Sequence, residues 1–241
     1  MRNVIVTGGS RGIGLSTCER LAASGYRAIA VARKESDELS KAIAAASPGV
    51  ISYAPFDLDR IEDMPQFVKD LRKQYGPVYG LVNNAGIGTE GLLAVMPLSE
   101  IEKLIRINTL SPIALTRQVV RSMFTEGEGR IVNMSSIIAS TGYYALSVYA
   151  ATKASLVGFT KSLAREVGRA NITVNAIAPG FIDTALTASL DDEGRQKIAR
   201  RSALQRLADP VDVANTVDFL MGDGGRSITG TVITVDAGNT A

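Results

Sequence analysis

Short runs rich in apolar and β-branched residues recur along the chain, and longer stretches with apolar residues at helical spacing separate them. Residues 4–7, 28–32, 51–56, 80–82, 130–134, 173–178 and 231–235 read as seven strands. Six of the intervals hold ten or more helix-compatible residues, long enough for crossover connections. The pattern therefore predicts an α/β fold: a doubly wound, seven-stranded parallel sheet with helices on both faces, of the Rossmann type. No Pro/Ser/Gly-rich linker, repeat or low-complexity block interrupts the alternation, so residues 1–241 read as one domain. Such sheets bind ligands beyond the carboxyl ends of their strands, where the strand order reverses. That rule points to the ends of the first and fourth strands, which carry TGGSRGIG and NNAG.

Composition narrows the ligand. Apolar residues make up 46% of the 241 and charged residues 21%, and no apolar run approaches the ~18 residues a membrane span needs. The net charge of +2 and the absence of long runs of one sign argue against nucleic acid and against a membrane surface, which leaves a small molecule. The chain enters its first strand directly after Met1-Arg2-Asn3, so the expected location is cytoplasmic. Cys18, the one cysteine, fits a buried small side chain better than a nucleophile. There is no histidine, which removes Ser-His-Asp and Cys-His catalysis and nearly every zinc site; no metal is expected.

In VIVTGGSRGIG the apolar run stops at a glycine cluster and restarts as a helix, leaving the helix N-terminus open to a phosphate. Gly8 can turn the chain, Gly12 lets backbone approach a pyrophosphate, and Gly14 allows the helix to pack on the sheet. With Ser10, Arg11 and Ile13 these glycines are the cofactor-binding candidates of the turn, and the alternative is a glycine turn with no ligand. Where an NAD site would place an acidic residue, the chain reads Ala32-Arg33-Lys34. Arg33 and Arg11 could grip a 2′-phosphate through charge-assisted bonds, which favours NADP(H) over NAD(H). Asp57 and Leu58 border the expected adenine position, and Asn84, Ala85 and Gly86 of NNAG make a turn beside the nucleotide.

Tyr149 and Lys153 are four apart on a helix expected to begin near Ser147, so they share a face. An ammonium and a cationic nicotinamide nearby would both stabilise the phenolate, making Tyr149 a general acid. Ser136, just past the fifth strand, can donate to the same carbonyl oxygen, whereas Ser135 points to the other face. Asn108 lies in RINTLSP, where Asn, Thr and Pro112 disfavour regular helix and a kink could free a carbonyl to hold a water.

TGxxxGIG, NNAG, Asn, Ser, YxxxK and the later PG turn, in this order and spacing, resemble the short-chain dehydrogenase/reductase family over essentially the whole chain. VYAATKASLVGFTKSLAREV and ITVNAIAPGFIDT are most similar to the β-ketoacyl-acyl-carrier-protein reductases. The resemblance implies that Tyr149 is the catalytic acid/base and that Lys153 binds the nicotinamide ribose and lowers the tyrosine pKa. Ser136 would orient the carbonyl, and Asn108 would complete a water-mediated relay to Lys153. Pro179, Gly180 and Ile182 would cover the nicotinamide, with Thr184 near the diphosphate, and residues 181–206 would form a substrate lid, with a break at Asp191-Asp192-Glu193-Gly194. It also implies a homotetramer and a 3-oxoacyl thioester substrate, linked to coenzyme A or to an acyl carrier protein.

Carrier-protein reductases are similar in presenting basic residues near the active-site mouth, one of them in the turn before the fifth strand. Here Glu126-Gly127-Glu128 stands in that turn, with Arg169 near the second position, so carrier docking should be weakened. Two alternatives stay open: a carbonyl reductase or secondary alcohol dehydrogenase acting on a free ketone or sugar, and a non-catalytic NADP-binding subunit.

Overall fold

The computed structural model describes residues 1–182 and 192–241. Strands β1 (Asn3–Thr7), β2 (Arg27–Ala32), β3 (Ile51–Pro55), β4 (Val78–Asn83), β5 (Gly129–Met134), β6 (Ile172–Pro179) and β7 (Val232–Val235) form one sheet in the order β3-β2-β1-β4-β5-β6-β7. Every neighbouring pair is parallel. The order reverses between β1 and β4, so the expected switch point lies at Thr7 and Asn83.

Alternation along the strands divides the core between two faces. Val4, Val6, Ala28 and Ala30 pack with Cys18 and Leu21 of α1 (Gly12–Ala23), Leu39 of α2 (Asp37–Ala45), and Val213, Val217 and Leu220 of α8 (Pro210–Met221). Ile5, Ile29 and Val31 point the other way. They meet Val68 and Leu71 of α3 (Met64–Tyr75), Leu115 and Met123 of α5 (Ser111–Glu126), and Leu163 and Val167 of α6 (Ser147–Val167). Cys18 is fully buried as expected, and burial pushes its thiol well above the ordinary range.

The fourth strand is longer than the sequence pattern suggested, by Val78 and Tyr79 at its start and Asn83 at its end, and Gly80 within it is a packing requirement. A Cβ there would come 2.9 Å from both Met221 Sδ and Val4 Cγ1. Of the Asp191–Gly194 run expected to break the lid, Asp192, Glu193 and Gly194 open α7 (Asp192–Arg201), and Asp191 lies outside the described residues. Asp and Glu at a helix start favour the N-terminal end of its dipole. Of the expected lid, residues 183–191 lie outside the described residues, and Ile182 is buried and bridged to Ala208.

α4 (Leu98–Ile105) runs into α5 through a π-helical turn at Arg106–Leu110, the irregularity that RINTLSP predicted. Asn108 sits in that turn, 1% exposed, with its side chain turned inward.

Candidate active site

The glycine turn after β1 is tied down from three sides. Gly8 N donates to Val31 O at 2.8 Å, Ser36 Oγ donates to Ser10 O at 2.5 Å, and Asn84 Nδ2 donates to Thr7 O at 2.8 Å. Gly8 and Gly12 both have positive φ, +66° and +54°, as a turn into a helix N-terminus demands. A Cβ on Gly14 would run into Gly8 O, so this glycine packs against the turn itself. The close approach to the sheet, expected of Gly14, belongs to Gly9, whose Cβ would lie 2.8 Å from Ala30 Cα. Arg11 caps α1 with its backbone alone and no acidic residue stands in the first turn, which leaves the helix N-terminus open to an anion. Arg11, at the N-cap of α1, and Arg33, just past β2, are exposed and have no ion pair among the described residues.

Asn84 supports this turn from the end of β4. Thr7 Oγ1 accepts from both Asn84 N and Ala85 N at 3.0 Å, locking NNAG onto the end of β1. Thr7 and Ser36 escaped the motif reading. Ser36 carried one signal, as an N-cap before an apolar-periodic stretch, and its hydroxyl does accept from Leu39 N. Asp57 is engaged locally, accepting from Asp59 N at 3.1 Å, and Leu58 O accepts from Ser111 Oγ at 2.9 Å.

Gly86 lies where the cofactor turn meets the catalytic helix. A Cβ there would stand 3.3 Å from both Asn108 Oδ1 and Lys153 Nζ, so the missing side chain leaves a cradle between them. Asn108 is fixed by Ile87, accepting from its N–H at 2.9 Å and donating to its carbonyl at 2.8 Å, and it also donates to Thr152 Oγ1 at 3.2 Å. On α6, Lys153 Nζ donates to Met134 O at 2.9 Å and lies 5.7 Å from the centre of the Tyr149 ring. Two of its three donor positions have no partner among the described residues.

Ser136 stands two residues past β5, its hydroxyl accepting weakly from Ile138 N at 3.3 Å, beside the Tyr149 phenol. Ser135 turns to the opposite face, as expected. Burial pushes Tyr149 up to about 12, with the Ser136 hydroxyl pulling the other way, and burial lowers Lys153 to about 8. Desolvation disfavours the charged form of each side chain, the phenolate of Tyr149 and the ammonium of Lys153.

Gly180, at the end of β6, is also a close-contact glycine, since a Cβ would sit 2.5 Å from Asp236 Cβ. The Asp236 carboxylate in turn accepts from Gly238 N and Thr240 N at 2.9 Å, so a C-terminal turn that no motif announced shapes the Pro179-Gly180 wall. Thr184 lies outside the described residues. The Glu126-Gly127-Glu128 turn corrects one expectation: it sits at the N-terminal end of β5, the edge of the sheet opposite Ser136. Glu128 there pairs with Arg2 at 2.9 Å.

An uncapped helix N-terminus behind a glycine turn, the Gly86 cradle and an ammonium with donors to give are the donor set a nicotinamide dinucleotide requires, and the residues fit that group. The short chain dehydrogenase profile matches residues 2–195. The chain belongs to the short-chain dehydrogenase family. It is 39% identical to the 3-oxoacyl-[acyl-carrier-protein] reductase of Escherichia coli over 236 residues, covering 97% of this chain and 95% of that protein. It is 35% identical to the acetoacetyl-CoA reductase of Allochromatium vinosum over 240 residues, 98% of each. A solved variant of the Serratia marcescens short-chain dehydrogenase/reductase superposes with a TM-score of 0.92 at 29% identity, covering 100% of this chain and 98% of that one. As a short-chain dehydrogenase the protein is an oxidoreductase of the nicotinamide-dependent class. Among the described residues no cluster could hold a metal ion, and no helix is long and apolar enough to cross a membrane.

Proposed function

We propose that this short-chain dehydrogenase is an NADP(H)-dependent reductase that converts the ketone of a 3-oxoacyl thioester to a secondary alcohol. The observation that carries the proposal is the meeting of Ser136, Tyr149, Lys153 and Asn108 beside the Gly86 cradle at the switch point of the sheet. The reduced nicotinamide supplies the hydride that the carbonyl carbon receives. Ser136 donates a hydrogen bond to the carbonyl oxygen and orients it. Tyr149, held protonated by burial at neutral pH, delivers its proton to that oxygen as charge develops there. Lys153 holds its ammonium against the ring face and would bind the ribose with its remaining donors, while Asn108 holds the π-helical turn in place against Thr152. The preference for NADP(H) rests on Ala32, which removes the acidic selector at the end of β2, and on Arg11 and Arg33, exposed where a 2′-phosphate would lie.

The thioester is supported by the names of the relatives, of which one acts on carrier-linked and one on coenzyme A-linked substrates. A free ketone is a second reading, and the rim favours it. Residues 86–97 and 136–148 carry one charge between them, Glu90, and no basic residue to meet an acidic carrier. Leu92, Leu93 and Tyr144 are exposed there, and Gly91 N donates to Ala145 O at 2.9 Å to join the two loops. The test is NADPH oxidation with a carrier-linked 3-oxoacyl substrate, its short thioester analogue, acetoacetyl-CoA and simple ketones, each at low and moderate salt. A carrier-using enzyme shows a much lower KM for the carrier form and loses that advantage as salt screens the contact. Faster turnover of an unactivated ketone selects the second reading. Binding of NADPH with no turnover of any of them defeats both.

A further inference from the structure

Three consecutive residues, Asn133 and Met134 at the C-terminal end of β5 and Ser135 just past it, each bind α6, one at Thr160 and two at Lys153. Asn133 Nδ2 donates to Thr160 Oγ1, Met134 O accepts from Lys153 Nζ, and Ser135 Oγ donates to Lys153 O, each at 2.9 Å. Asn133 and Thr160 are fully buried and Ser135 is 3% exposed. Asn133 and Ser135 are two residues apart and so share the strand face that α6 covers, while Ser136 turns to the substrate. Asn133 is itself held, since its Oδ1 accepts from Asn83 Nδ2 at 2.8 Å, and that amide also donates to Thr116 Oγ1 on α5.

The Lys153 carbonyl lies inside the helix and already has a place in the α-helical ladder, so the Ser135 hydroxyl adds a lateral bond to its second lone pair. Apolar packing is non-directional and resists the sliding of a helix along its own axis only weakly; hydrogen bonds fix distance and angle. We infer that Ser135 and Asn133 are positioning residues that set the axial register of α6 on β5, and so the place of the Tyr149 hydroxyl relative to Ser136. The inference rests on the reading of Ser136, Tyr149 and Lys153 as the reductase site. It assigns to the other serine of the Ser135-Ser136 pair a role that touches neither substrate nor cofactor. Displacement of a reacting group by ~1 Å costs up to ~100-fold in rate, so a clamp of this kind acts on kcat while leaving the binding surfaces in place.

The experiment compares Ser135→Ala, Thr160→Val and the double variant with the wild type, each normalised to its folded fraction. It measures kcat, KM and NADPH affinity for the best ketone of the panel. A second readout, independent of turnover, is the Lys153 ε-carbon resonance in lysine-labelled protein, assigned by its loss in Lys153→Arg and followed through its titration. Expected are a ~10-fold fall in kcat for Ser135→Ala with KM and NADPH affinity within about twofold, and a ~3-fold fall for Thr160→Val. The Lys153 titration shifts in both, and the double variant loses little more than Ser135→Ala, because both substitutions release one clamp. A fall in melting temperature with kcat per folded site and the Lys153 titration unchanged overturns the inference, since a purely structural role would give that result. If Ser135→Ala does not fold, the near-isosteric Thr160→Val decides, and wild-type kcat and titration in that variant overturn the clamp. If the wild type reduces nothing, the reductase reading fails by itself, while an unshifted Lys153 resonance in the variants separately removes the register.

Discussion

Arg2, Tyr79 and Arg130 at the N-terminal edge of the sheet contrast with Ser136, Tyr149 and Lys153 at its C-terminal edge. Both groups join cationic and phenolic side chains, with Tyr79, Arg130 and Lys153 buried and Arg2 exposed. At the N-terminal edge the Tyr79 phenol donates to Met221 O at 2.8 Å, with the Arg2 guanidinium 4.3 Å above its ring. Arg2 pairs with Glu128, Arg130 NH1 donates to Gly129 O and Asn171 O, and Asn3 Nδ2 donates to Tyr75 O and Pro77 O. Among the described residues, Arg130 Nε is the one buried polar atom of these side chains without a partner. At the C-terminal edge the polar groups are held in place yet keep capacity: Lys153 has one protein acceptor, and the α1 N-terminus has no side-chain cap. Rigid placement with unused donors distinguishes a site from a clamp, because a group already satisfied by the chain has nothing to offer a ligand.

The sharpest break of this contrast is Tyr149→Phe. Turnover should fall by 10²- to 10⁴-fold with NADPH affinity nearly unchanged, measured by steady-state kinetics beside fluorescence titration. Retention of more than about a tenth of the activity at saturating ketone would remove the acid role from this residue.

Lys153→Met should abolish turnover while stabilising the folded chain. Burial lowers Lys153 to about 8 from an ordinary 10.5, so the unfolded chain binds the extra proton between those values and stability rises with pH across that window. The cost of the buried ammonium is therefore complete below about pH 8. Removing it should raise unfolding stability at pH 7 by about 1–3 kcal/mol, less the lost bond to Met134, with the advantage shrinking toward pH 10.5. Chemical denaturation at pH 7 and pH 10 checks both the sign and the trend; a wild type that is the more stable at pH 7 contradicts it.

Cofactor selection comes next in size. NADPH should exceed NADH in kcat/KM by at least ~10-fold, about 1.4 kcal/mol, and Ala32→Asp combined with Arg33→Ala should reverse the order. Equal efficiency in the wild type defeats the assignment of the two arginines.

At the opposite edge, Tyr79→Phe should cost about 1 kcal/mol of stability through the lost bond to Met221 O and leave kcat within twofold. The smallest effect is expected of Glu128→Gln, which breaks the exposed pair with Arg2 and should change stability by no more than ~1 kcal/mol. It should also leave the KM for a short thioester untouched, and a large change there would place this turn near the substrate after all.

Local periodicity and local chemistry were legible in the amino-acid sequence. The seven strands, their parallel arrangement, the glycine turn, the Tyr149 and Lys153 face of one helix and the irregularity at Asn108 each depend on residues within a few positions of one another, or on the fixed repeats of helix and strand. The missing histidine and the basic residues after the second strand were equally plain. What required the tertiary structure depends on residues far apart in the chain. The packing of Gly80 against Met221 and Val4, and the bonds by which Asn84 is tied to Thr7, are visible only in the packed fold. Glu126 and Glu128 read as neighbours of the active-site mouth until the length of β5 separates them from Ser136. Tyr149 and Lys153 were paired by spacing, but the burial that shifts both was not legible, because desolvation is set by everything that surrounds a side chain, and only the packed fold determines which surroundings those are.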